Sequence, residues 1–129
     1  MEMDYRDILR RIYQPEIGSI WKAPNIIWTN SFAKNKSQND FHPSIVEKIR
    51  KDSISVQLAP GTTKEYQKGS CVFKADLIGD GTFSYFLLKL SMPYIIDDLL
   101  NLERGWNGVD NLNEQQLKDF EWQIKICKG

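Results

Sequence analysis

Residues 54 to 58 alternate without exception, with Ile54, Val56 and Leu58 apolar and Ser55 and Gln57 polar. A period of two puts all the apolar groups on one side of an extended chain. The segment therefore reads as a half-buried strand and commits the chain to a sheet. Shorter stretches of the same kind surround it. Gly18 introduces Ser19-Ile20-Trp21, a first strand ending near Pro24. His42-Pro43 opens an extended piece, because the residue before a proline is pushed toward β geometry, and Ser44 to Ile49 continue it. A turn over Lys48 to Asp52 leads into the alternating strand, and Pro60-Gly61-Thr62-Thr63 is expected to break it. Lys64 to Gly69 reads as polar loop and Ser70 to Ile78 as a further strand. Gly79-Asp80-Gly81 reads as a tight turn using the positive φ that glycine adopts cheaply. Phe83 to Met92, apolar on both faces, reads as a central strand. Pro93 interrupts, and Ile95 to Leu102 fits either a strand or one helical turn.

Helical spacing appears at the two ends. Tyr5, Ile8, Leu9, Ile12 and Tyr13 mark a short amphipathic helix, with Asp4 to cap it and Pro15 to close it. Asn113 with Gln116 three residues on is a capping-box pattern, and Leu117, Phe120, Ile124 and Cys127 form one face of the helix that follows. Between Asn25 and Phe41 no period holds, and so long a connection in a small domain is usually functional or mobile. At 129 residues the chain fits one domain, residues 1–129, able to bury a core without staples. The expected class is mainly β (α+β): a small twisted barrel of about five to seven strands with an N-terminal and a C-terminal helix.

Formal net charge is zero, but residues 34–74 carry eight Lys/Arg against four Asp/Glu, and residues 75–129 carry five against nine. A basic middle can face phosphate on an otherwise neutral protein, or can be ordinary scatter over a solvated surface. Cys71 and Cys127 stand far apart with no second pair and no neighbouring His, which reads as two reduced structural cysteines rather than a zinc site or a disulfide framework. The first residues, MEMDYRDILRR, lack the apolar run of a signal peptide, and no stretch reaches the length of a membrane span; the expected location is cytoplasmic. No P-loop, Rossmann glycine pattern or His-rich metal spacing is present. Asp97-Asp98 has no histidine or third carboxylate nearby to complete a metal site, and no G-x-S-x-G elbow occurs. No metal or cofactor is expected.

In order along the chain, Ile17-Gly18-Ser19-Ile20-Trp21, Phe41-His42-Pro43-Ser44-Ile45-Val46, Val56 to Thr63 (VQLAPGTT) and Leu112 to Leu117 (LNEQQL) resemble the landmarks of the MazF/PemK toxin endoribonucleases. These are an opening "GDI-W" strand, an "RP-A-hydrophobic" strand, a strand ending "P-x-T-T/S" and a closing "L-S-x-E-E-L" helix start. The resemblance spans nearly the whole chain. It implies an SH3-like barrel and a toxin-antitoxin nuclease that cuts single-stranded RNA without metal. It further implies a homodimer, a groove blocked by a cognate antitoxin, and contact with operator DNA only inside an antitoxin complex. The family's threonine falls on Thr62. Its arginine position holds His42, which leaves open an inactive barrel that binds RNA or a protein segment.

Metal-free RNA cleavage needs a group to take the 2′-hydroxyl proton, one to protonate the leaving 5′-oxygen, and donors for the phosphorane. His42 is the only histidine and the one side chain type whose ordinary pKa lies near neutrality; alternatively it sits on a loop edge or satisfies a core hydrogen bond. Thr62, with Thr63 beside it, can donate to a phosphate oxygen next to Gly61, or can pin a turn. Lys22, Lys34, Lys36 and Lys64 are phosphate contacts if their loops converge, and otherwise solubilising charges. Trp28 and Phe32 are stacking platforms for bases, or a lid, or a patch for a partner chain. Trp21 is assigned to the core.

Overall fold

The computed structural model describes residues 15–28, 40–64 and 71–129. The expected N-terminal helix, and Phe32, Lys34 and Lys36 with it, lie outside them.

The described residues form seven strands: β1 (Ile20–Pro24), β2 (Phe41–Ile49), β3 (Ser55–Thr62), β4 (Val72–Ala75), β5 (Ser84–Leu87), β6 (Met92–Ile95) and β7 (Glu103–Arg104). All pair antiparallel in the order β4-β5-β3-β2-β1-β7, with β6 also on β3. The class is α+β, as expected. The expected closure is not found, because among the described residues no ladder joins β4 to β7 and the sheet stays open.

The turn between β2 and β3 is built on Asp52, whose Oδ1 accepts the Ile54 and Ser55 amides at 3.1 Å while the Ser55 hydroxyl donates to Oδ2 at 2.8 Å. Those bonds, the Ser55 hydroxyl foremost, hold the Asp52 carboxyl below its usual pKa. The alternation at 54–58 does mark a strand, but β3 is buried on both faces except at Gln57. Nor does Pro60 end it. Proline lacks a donor, yet Pro60 stays in register opposite Ser44 while the next two residues find a new neighbour, Gly61 facing Phe86 and Thr62 facing Tyr85.

The expected single strand from Phe83 to Met92 is instead two. β5 lies along the Thr62 end of β3 and β6 along its Ser55 end, on the same edge, and a 3₁₀ turn at Leu88–Leu90 takes up the three-residue slip in register between them. An insertion of this kind bends the strand that carries it. Pro93 does not interrupt; it faces Gln57 within β6. The strand expected over Ser70 to Ile78 shortens to β4, because Asp76 turns its carboxylate back onto the amides of Gly79 (2.8 Å) and Gly81 (2.9 Å). Of the two readings of Ile95 to Leu102, the helical turn holds: Ile96–Leu99 is a short helix, α1.

The C-terminal helix α2 (Glu114–Lys128) forms as the capping pattern requires, with the Asn113 side chain accepting from the Gln116 amide and Gln116 returning the bond. The Gln116 amide group also donates to the Asp76 carbonyl at 3.0 Å, fixing the start of the helix to the end of β4. One face of the sheet (Ile20, Ile45, Ala59, Phe73, Phe86) packs with Leu88 against Phe120 of α2, the Phe73 and Phe120 rings lying 5.0 Å apart. The opposite face (Trp21, Val46, Val56, Leu58) packs against Trp28 and against Ile96 and Leu99 of α1.

The reading of the cysteines as reduced is corrected. Cys71 and Cys127 form a disulfide with Cα atoms 4.7 Å apart, a normal span for such a bridge. They meet because Cys71 directly precedes β4 and α2 packs its last turn over that strand. Sequence separation hides this proximity. No helix among the described residues is long and apolar enough to cross a membrane.

Candidate functional site

Antiparallel register decides which side chains share a face. Ser44 faces Pro60, Ile45 faces Ala59 and Val46 faces Leu58. One step further along the same register sets Pro43 against Gly61, and the two backbones do approach there: a Cβ on Gly61 would lie 3.0 Å from the Pro43 carbonyl oxygen. Continued one step more, beyond the last pair of the ladder at Ser44 and Pro60, that register would set His42 opposite Thr62. Directly opposed residues of an antiparallel pair have Cα atoms about 4.5–5.5 Å apart and project to the same side.

The row extends across the sheet. Thr62 faces Tyr85 on β5, and Tyr85 faces Lys74 on β4. A hydroxyl, a phenol and an ammonium thus lie in line on β3, β5 and β4, and strand alternation puts His42 of β2 on the same face, away from α2. His42 and Lys74, at the two ends, reach solvent; Tyr85 is buried, and Thr62 is only 3% exposed. The Thr62 Oγ1 accepts the Lys64 amide at 3.2 Å, which pins the turn carrying the exposed Thr63 and Lys64. A threonine hydroxyl that accepts a bond can also donate one.

The other expected site residues separate. Lys22 alternates to the opposite face, where it lies 4.9 Å over the exposed Phe41 ring and 3.6 Å from Glu103. It shares there a shallow cavity of about 280 Å3 with Trp106, Asn107 and Asp110. Lys22 therefore does not join His42 and Thr62. Trp28 is corrected from platform to core: it is 1% exposed and closed in by apolar neighbours, so its ring offers no free face to a base.

Sequence reasoning missed Lys74, Tyr85 and Phe83. Their signal was Val72-Phe73-Lys74-Ala75, where one cation interrupts an apolar strand; its meaning depended on the β4–β5 register. Among the described residues no three His, Cys, Asp or Glu side chains converge as a metal-holding group. No known family model matches the chain, and no curated protein does either.

Proposed function

We propose that this protein is a toxin-like endoribonuclease of a toxin-antitoxin pair that cuts single-stranded RNA to a 2′,3′-cyclic phosphate without a metal. The observation that supports the reading is the close approach of β2 and β3 at Pro43 and Gly61, the residues next to His42 and Thr62, beside the turn that Thr62 fixes for Lys64. His42 takes the 2′-hydroxyl proton; the 2′-oxygen bonds to phosphorus as the bond to the 5′-oxygen breaks, and water protonates the leaving oxygen. Thr62 donates to a non-bridging oxygen, and the Lys64 charge steadies the phosphorane. The resemblance of four ordered segments to the MazF/PemK enzymes supports this assignment. It carries with it a cytoplasmic homodimer, an antitoxin that covers the groove, and operator DNA bound only through that antitoxin.

The test is cleavage of a mixed RNA pool in chelator. His42→Ala is expected to lose about 100-fold or more, and Thr62→Val a comparable factor. Equal rates in the variants and the parent would remove the mechanism. Growth arrest on expression, relieved by an adjacent small reading frame, tests the toxin role.

A second reading, an open-sheet module that binds RNA without cutting it, is favoured by the burial of Thr62. It expects RNA binding with no product in any variant.

A further inference from the structure

We propose that Lys74 and Phe83 form a subsite for the nucleotide next to the scissile phosphate, Lys74 holding its phosphate and Phe83 stacking on its base. The inference rests on the RNA-binding reading above and extends it to a second nucleotide.

Lys74 is the exposed member of β4, between the buried Phe73 and Ala75. It stands two strands from Thr62 on the same face, and neighbouring strands are about 4.8 Å apart, so its Cα lies roughly 10 Å from that of Thr62. Its ammonium sits 4.1 Å from the centroid of the Phe83 ring and 5.9 Å from that of Tyr85. Among the described residues no carboxylate pairs with it. A cation steadied by ring faces keeps its charge for a ligand anion.

Phe83 is 37% exposed. Lys74 lies over one side of its ring, and the exposed part of the ring is where a base would stack. The ring is also presented by a closed turn, since Asp76 accepts the amides of Gly79 and Gly81, and Asp80 accepts that of Thr82 at 2.9 Å. These amides also draw the two nearby carboxylates into backbone bonding, which lessens their repulsion of a phosphate. Stacking on a single ring reads no base identity, because every base has a π face; the subsite adds affinity and direction rather than sequence choice.

The experiment measures binding of a mixed-sequence 2′-O-methyl oligoribonucleotide, which lacks the nucleophile, by fluorescence anisotropy at several salt concentrations. Lys74→Gln is expected to bind several-fold more weakly with a salt slope shallower by about 0.7, and Lys74→Arg to bind as the parent does. Phe83→Ala is expected to lose about 5- to 100-fold, and Phe83→Trp to keep affinity. Parent-like binding and salt slope in both Lys74→Gln and Phe83→Ala overturn the subsite, even if the parent cleaves ordinary RNA. Weakened binding in both, with no cleavage by the parent, upholds the subsite and removes the nuclease. A parent that binds no oligonucleotide removes both.

Discussion

Lys128 sets its ammonium 2.6 Å from Oε2 of Glu47, a carboxylate whose side chain is only 1% exposed. Glu47 sits where the β2–β3 register slips between Val46 and Lys48, so the irregularity in the strand turns it inward. Lys128 also donates to Ser91 at 2.8 Å. Burial raises the Glu47 pKa above its usual 4.5, and the Lys128 bond only partly opposes this.

A raised carboxyl pKa means that the folded protein holds this proton more tightly than the unfolded chain. The Glu47 contribution to stability is therefore full at acid pH and falls as pH rises from 4.5 through the folded value. Lys128→Ala, which strips the buried carboxylate of its cation, is expected to cost about 1–3 kcal/mol at neutral pH. The figure lies below that for a fully buried pair because Lys128 is itself 36% exposed. The cost should shrink on acidification as Glu47 protonates. Urea melts of parent and variant across the acid range measure it; a penalty that stays constant with pH would place the loss in packing instead.

The Cys71–Cys127 bridge closes a loop with a sequence separation of 56. Chain-entropy arguments give such a closure about 4 kcal/mol, as an upper figure. Reductant is expected to lower the urea midpoint of the parent and to leave a Cys71→Ala, Cys127→Ala double variant unmoved. Because such bridges are uncommon in a reducing cytosol, the alkylation state of the protein trapped in cells also reports its compartment.

Gly61 lies between the Phe86 ring, 2.8 Å from where a Cβ would sit, and the Pro43 carbonyl at 3.0 Å. Gly61→Ala is expected to destabilise by about 1–3 kcal/mol and to push the ends of β2 and β3 apart. Thermal melting reads the first effect. Oligonucleotide binding at a temperature where the variant is still folded reads the second.

Asn113→Ala removes the cap at the start of α2 and should cost about 1 kcal/mol. Gln116→Ala loses the return bond to Asn113 and also the bond to the Asp76 carbonyl, and is expected to cost at least as much. Denaturant midpoints compare the two, and a smaller loss at Gln116 would remove its tie to β4.

The elements legible in the sequence were those decided locally. The cap at Asn113, the residue before Pro43 and the Asp52 turn each act within a few residues, and β1, β2 and α2 fall where they indicate. Pro60 and the run from Phe83 misled for one shared reason. Where a strand ends depends on which neighbour takes over its hydrogen bonds, and β3 is handed from one partner to another at Gly61. The site followed the same division. His42 and Thr62 were visible as residue types, whereas Lys74 and Phe83 became meaningful only through a register that no local pattern carries. The burial of Trp28 and the meeting of the two cysteines likewise depend on packing between distant segments.

Three residues, Leu88 to Leu90, set along a single edge of β3, let a long apolar run pair with it in two registers. Were they deleted, β5 and β6 would fall into one common register along β3. Leu88, within that stretch, is fully buried in the cluster that receives Phe120, so a piece of backbone shorter than one turn of the helix also furnishes part of its seat.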